Sequence, residues 1–431
     1  MSEEVTPSSW VDRAASTWWA VLKFFVAALV APIVSVLVAW RASVNYERAK
    51  GMMRVFPHQL DTLDAGRIPV PPANRVEWMP AEVDALVVSD LHRCIAGRRD
   101  WAREQGGVEI YEAMLDHYRD AGWHVIENGD TEDFWMVGGS AYGAGYDLAR
   151  LVGAIVPGRL GRRVRAHLYL GHFRRIRENN ARIYERIVQL AADGRYHRTI
   201  GNHDDVFLDE SLAAEHRHTI GVGPVDWLVL QNEGRAAAIV THGHQTDAWN
   251  APGRAFLGQL AMWVANTLND VPLLDSPEPL PDRAETDDLL SGHYLNRLLT
   301  VNQRFGVNAN YDSLDEELLF DAIGGASEHT PWLFLGHTHV PLMQPLSRTG
   351  ARWSRYANSG HGLWLDMVTA IEWPGSAGPP FVPRLVAWAL VEDEAGRRVE
   401  RVELTPSSDG RILRPVGSSA TGVAEAAVAT H

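Results

Sequence analysis

Apolar residues fall along the middle of this chain in short blocks, and the blocks predict its elements. Ala85–Ser89, His124–Glu127, Trp227–Gln231, Ala236–Thr241 and Trp332–Leu335 are runs of strand length with apolar residues, and Tyr196–Ile200 is a run of the same length flanked by apolar residues. Runs of this length, stopped by turn residues, read as buried strands. Glu109–Ala121 and Arg182–Ala192 instead repeat their apolar positions at helical spacing. Strand, helix, strand in that order is a βαβ unit, which implies a parallel sheet and a right-handed crossover. Arg352–Asn358 and Arg384–Glu392 read as closing strands. The predicted class is α/β.

Outside this block the pattern changes. Phe24 to Trp40 carries no charge over 17 residues, at the low end of the ~17–25 that span a bilayer. Trp18, Trp19 and Trp40 bracket the run as an interfacial belt would, and a membrane span tolerates the kink that Pro32 would bring. Glu3, Glu4 and Asp12 stand where a cleaved signal peptide would carry basic residues. Segment 1–50 is therefore expected to hold one membrane-associated helix over about 18–40. Arg41, Arg48, Lys50 and Arg54 follow it, against Arg13 and Lys23 before it, which predicts a membrane-anchored protein with its large C-terminal part in the cytoplasm. Residues 51–84, with Pro57, Pro69, Pro71, Pro72 and Pro80, read as a linker. The main domain is expected over 85–405, with insertions near 131–178 and 250–325, and the small, polar residues 406–431 as a disordered tail. The first insertion holds the glycine-rich Gly138–Gly145 and the basic Arg159–Arg177. The second holds the apolar Phe256–Leu274.

Composition narrows the chemistry. A formal net charge of −14 argues against a surface that coats nucleic acid. A single cysteine, Cys94, excludes an intramolecular disulfide framework and a thiolate-rich zinc cage, and reads as a buried, inert thiol. Eighteen histidines leave imidazole and carboxylate as the available ligands. Five of the predicted strands end in such groups: Asp90 with His92, Asp130, Asn202 with His203, His242, and His337 with His339. Parallel strands bring their carboxyl ends to one edge, so these side chains are expected to converge there. An all-N/O set suits Mn, Fe, Zn or Ni better than calcium. Two cations about 3.5–4 Å apart need a negative group between them, and a carboxylate is the natural choice. His244, Asp247 and His361 flank these motifs, and Asp133 is expected to orient a strand end. His117, His124, His197 and His216 read as packing or surface groups.

The series DLH, GDTED, GNHD, HGH and GHTH resembles the calcineurin-like metallophosphoesterase superfamily, in that order, over roughly Ala85 to Gly362. The resemblance implies a four-layer α/β/β/α sandwich with two divalent metal ions, manganese first among the candidates. It implies Asp90, His92 and His339 on one ion, Asn202, His242 and His337 on the other, and Asp130 bridging both. A hydroxide held between the ions would attack phosphorus. His203 would act as general acid, oriented by Asp204. The second motif, GDTEDFW, departs from the GDxVDRG of the protein phosphatases. With RYANSGHGLW it is closer to bacterial phosphodiesterases, including the UDP-diacylglucosamine pyrophosphatase type, which usually has arginine where His203 stands. The expected substrate is a small-molecule or lipid-linked phosphomonoester, diester or pyrophosphate. A nuclease of the same superfamily and an inactive membrane-anchored binding module are the alternatives; the module would be expected to have lost ligands, and none is lost.

Overall fold

Strand β2 (Asp84–Val88) is buried on both faces, and its sequence shows why. Leu86 and Val88 belong to one hydrophobic cluster, while Ala85 and Val87 belong to a second. Period-two alternation with apolar residues on both sides is the pattern of a strand covered on each face. The computed structural model describes residues 75–244, 331–343, 355–406 and 413–415, with the single positions 25, 250 and 259. Within those ranges it leaves out 97–99, 101–105, 136, 138–141, 144, 147–148, 151–157, 340, 361, 363–366 and 394–395.

The strands are β1 (Val76–Pro80), β2, β3 (His124–Asn128), β4 (Tyr196–Thr199), β5 (Trp227–Asn232), β6 (Arg235–Val240) and β7 (Trp332–Leu335). They continue as β8 (Leu342–Met343), β9 (Tyr356–Asn358), β10 (Met367–Pro374), β11 (Arg384–Asp393), β12 (Gly396–Pro406) and β13 (Leu413–Pro415). The helices are α1 (Gly107–Asp120), α2 (Gly158–Asn179), α3 (Ala181–Ala192) and α4 (Glu210–Ile220). The strands form two mixed sheets, one ordered β1-β5-β6-β7-β9-β8 and the other β13-β12-β11-β10-β2-β3-β4. β2, β3 and β4 run parallel and adjacent in the larger sheet, and β6, β7 and β9 do so in the smaller.

Two cores hold these layers. Helix α1 turns Ile110, Tyr111, Met114, Leu115 and Tyr118 onto the larger sheet, where they meet Leu86, Val88, Val368 and Val386. The other face of that sheet, with Val87, Ile371, Trp373 and Ala387, packs on Leu228, Leu230, Val240 and Phe334 of the smaller one. Helices, larger sheet and smaller sheet are thus stacked in that order. β2, α1 and β3 form the expected parallel unit.

Five expectations change. The five motif-bearing strands lie in two sheets rather than one, because β6 and β7 pair with β5 and β9 and meet β2–β4 only across the shared core. The linker does not reach residue 84: Val76–Pro80 is the edge strand of the smaller sheet, parallel to β5. Proline is tolerated at the end of an edge strand, so Pro80 misled the compositional reading. Met367–Pro374, unforeseen, lies between β11 and β2 in the larger sheet. Leu413–Pro415, inside the expected tail, pairs with β12. The expected strand from Arg352 begins, in the described residues, at Tyr356. The helix expected at 18–40 and the insertion at 250–325 lie outside the described residues, apart from positions 25, 250 and 259. Among the described residues no helix is long and apolar enough to cross a membrane.

Candidate metal centre

Each motif begins where a strand stops, and the backbone bends hard there. Six described non-glycine residues have positive φ, and five are expected ligands: Asp90 (54°), His92 (41°), Asp130 (50°), His337 (70°) and His339 (61°). The left-handed region costs of order 1–3 kcal/mol per residue, and it gathers at functional sites. The bends are held by hydrogen bonds between neighbouring strand ends: Asp90 N to Gly129 O at 3.2 Å, His92 N to Asp130 O at 2.9 Å, and Gly336 N to His242 O at 2.9 Å. Gly129, at φ 77°, lets the His242 ring approach; a Cβ there would lie 2.5 Å from the ring. Asn128 ties the two sheets at this rim, its Nδ2 donating to Thr241 O at 2.9 Å.

The expected ligands meet in two groups. Asp90, His92 and His339 form one, and Asp130, His242 and His337 the other, with candidate ligand atoms in each within 4.8 Å of one another. In the first, His339 Nε2 lies 3.2 Å from Asp90 Oδ1 and 3.3 Å from His92 Nε2. In the second, His242 Nε2 lies 3.2 Å from Asp130 Oδ2. Asp130 Oδ2 is also 3.9 Å from His92 Nε2, and His242 Nε2 is 3.9 Å from Asp90 Oδ1, so the groups adjoin. Asn202 is buried between Gly201, which packs against Asp130, and His203, whose backbone N–H donates to Asp130 Oδ1 at 2.8 Å.

The donor set fits divalent cations. His92 Nδ1 lies 3.0 Å from Asp133 Oδ2 and His242 Nδ1 2.8 Å from Asn128 O, acceptors that fix both tautomers and leave each Nε2 a lone pair for a metal. Among the described residues, Asp90 Oδ1, Asn202 Oδ1 and His242 Nε2 are buried without a hydrogen-bond partner. Buried polar atoms are rarely left so, and an ion is one thing that satisfies them. These groups can hold a metal ion. Electrostatics agree in direction. Burial opposes ionisation of Asp90, but His339 and His242 bring it down to about 2. Burial likewise resists charging His242, yet Asp130 and Asp90 push it up to about 9.

His203 stands beside both groups and also lies within 4.8 Å of ligand atoms of His92 and Asp130. The residue that orients it is Asp133, whose Oδ2 accepts from His203 Nδ1 at 2.9 Å as well as from His92 Nδ1. Asp204 does not reach the ring: it takes Gly201 N at 2.6 Å, Thr131 N at 2.9 Å and the Arg198 guanidinium. Its side chain folds back over its own turn and clamps that turn to the Asp130 loop. Burial lowers the affinity of His203 for a proton, but Asp133 and Asp130 outweigh it and raise the pKa to about 9. The carboxylate that closes GDTED was the available signal for Asp133; nothing in the sequence said it would serve two histidines.

Below the site lies a buried ionic floor. Arg93 pairs with Glu127 and Glu132, and Arg198 with Glu132 and Asp204. Tyr111 and Tyr196 donate to Glu127, and Tyr184 to Glu132. His244 packs beside His242 and His337. His117 packs on Tyr118 and Trp388, His216 bonds Val222 O, and His124 pairs with His197; none is among the residues grouped at the centre. Cys94 is buried, its thiol donating to His92 O. Asp247 and His361 lie outside the described residues. Compared with known proteins, the chain matches no family model and no curated sequence.

Proposed function

We propose that this chain is a metal-dependent phosphoester hydrolase of the calcineurin-like metallophosphoesterase type. The observation that carries the reading is the pair of Asp/His groups that adjoin through Asp130 at the rim shared by both sheets. Asp90, His92 and His339 would hold one divalent cation, Asn202, His242 and His337 a second, and Asp130 both, with manganese the first candidate. Such ions supply water activation near neutral pH and neutralise phosphate oxygens. The stacked helices and two sheets would be three layers of the four-layer sandwich.

The chain's own groups do the rest. Asp133 takes the Nδ1 proton of His203, which leaves Nε2 to protonate the departing oxygen. The His203 backbone N–H donates to Asp130 Oδ1, which sets that donor beside the carboxylate that would serve both ions. The substrate is a small-molecule or lipid-linked phosphoester, presented at the membrane by an N-terminal anchor, with the hydrolase domain cytoplasmic. A nuclease is the second reading, favoured by helix α2, whose sequence holds seven arginines and one glutamate. Steep loss of binding with salt would mark it.

The test is a panel of apo protein reloaded with Mn, Fe, Zn or Ni, against p-nitrophenyl phosphate, bis-p-nitrophenyl phosphate, cyclic nucleotides, nucleotide-diphospho-lipids and single-stranded DNA. Asp130→Ala is expected to lose both metals. His203→Ala is expected to keep metal and lose turnover by about 10²–10⁴-fold on unactivated esters. Full activity in excess chelator, or an Asp130→Ala protein that binds metal normally, sinks the reading.

A further inference from the structure

Trp135 is left unexplained by the chemistry above. It is only 6% exposed, and its indole Nε1 is buried without a hydrogen-bond partner among the described residues. An unpaired buried donor is a cost to folding that phenylalanine in the same place would not incur. The indole ring lies against the His203 imidazole, centroids 4.2 Å apart and planes 26° from parallel. The Trp135 backbone N–H donates to Asp133 Oδ1 at 2.7 Å, while Oδ2 of the same carboxylate takes His203 Nδ1. One hydrogen bond fixes where Nδ1 sits but leaves the ring free to swing about that contact, because the terminal torsion of histidine is broad. The indole face closes that freedom from one side. The His92 ring closes it from another, edge-on at 4.5 Å and 88°.

We propose that Trp135 is a positioning residue for His203: its ring sets the plane of the imidazole and so the direction in which Nε2 presents its proton. This rests on the hydrolase reading, and it predicts when Trp135 matters. A p-nitrophenolate leaves without help, whereas an alkoxide must be protonated as it departs. Loss of the indole face therefore slows alkyl esters and spares p-nitrophenyl ones.

The experiment uses the full, manganese-loaded chain as wild type, Trp135→Leu, Trp135→Phe, His203→Ala and the Leu/Ala double variant. The substrate is whichever p-nitrophenyl mono- or diester the wild type hydrolyses, paired with glycerol phosphate or glycerophosphocholine as its alkyl counterpart. Trp135→Leu is expected to lower kcat on the alkyl ester by about 10–100-fold, part of the ~10²–10⁴-fold that a general acid supplies, with KM little changed. On the p-nitrophenyl ester its kcat should stay within about threefold of wild type, since that leaving group draws little on the acid. Trp135→Phe should recover most of the loss on the alkyl ester. In the His203→Ala background Trp135→Leu should cost nothing further, because there is no ring left to position. Equal losses on both leaving groups, or an undiminished further loss without His203, would overturn the proposal. A second readout needs no turnover: diethylpyrocarbonate modification of His203, followed by mass spectrometry, should be several-fold faster in Trp135→Leu. An unchanged rate overturns the positioning role. A wild type that hydrolyses none of these esters sinks the hydrolase reading instead, while the modification rate still decides the clamp. Trp135→Met takes the place of the leucine variant if the latter does not fold.

Discussion

Asp133 shows how one carboxylate can serve two imidazoles at once. It accepts from Nδ1 of His92 at 3.0 Å and of His203 at 2.9 Å, so one side chain sets both a candidate ligand and the candidate acid. Replacing it with asparagine should lower metal affinity by about 10–100-fold, the usual effect of removing a ligand's outer partner. It should also lower turnover beyond what metal saturation restores; recovery of full activity by excess manganese would leave Asp133 as a metal-positioning group only. The protonation of His242 gives a second prediction. Its pKa of about 9 in the metal-free protein means that at neutral pH a proton occupies the nitrogen an ion requires. Metal uptake should therefore release protons, and affinity should fall as pH falls, by about tenfold per unit for each proton displaced. Titration calorimetry in buffers of different ionisation enthalpy reads this directly, and a buffer-independent heat would contradict it.

Strand β4 carries the ionic floor as well as the motif at its end. Arg198 is fully buried between Glu132 and Asp204, and those two acids hold the Asp130 loop and the Gly201 turn in register. Removing one partner of a buried ion pair leaves an uncompensated charge, at a cost of ~3–5 kcal/mol. Arg198→Met is expected to destabilise by that amount in urea unfolding, with metal binding lost in step. A neutral outcome would mean water reaches Glu132. The edge strand β1 offers a test of the domain boundary. A chain beginning at residue 75 keeps Val76–Pro80 beside β5, whereas one beginning at residue 82 strips that edge and exposes Leu228 and Leu230. The longer form should give a cooperative unfolding transition and the shorter should aggregate; equal behaviour would return residues 75–81 to the linker.

Across the whole molecule, buried neutral histidines set the acid limit. Burial pushes His172 and His216 down to about 4 from an ordinary 6.5, and His124 likewise at a less buried position. At these sites the unfolded chain binds more protons between those values, so their contribution is full above about pH 6.5 and is lost as pH drops toward 4, against an opposing contribution from Asp205, which burial raises to about 7. His172 and His216 account for roughly 3 kcal/mol each on that scale. His203 and His242, raised to about 9, add no slope below pH 6.5, since both states are then protonated. Thermal melts from pH 7.5 to 4.5 should show the decline, and a flat profile would contradict it. The sequence alone determined the strands that carry the motifs and the order of their candidate ligands, because apolar period and strand-end composition are local properties. β10 lay beyond that reach: MVTAIEWP mixes polar and apolar residues, and only its place between β11 and β2 makes it a strand. The division of five motif strands between two sheets was equally hidden, since pairing partners are chosen by a core that no single segment contains. Asp133 rather than Asp204 reaches His203 for the same reason. Asp204 sits one residue away in sequence yet is turned to Arg198, while Asp133 arrives from another strand's loop. Chain order specifies which groups are available at a rim; only the packed layers decide which of them face each other.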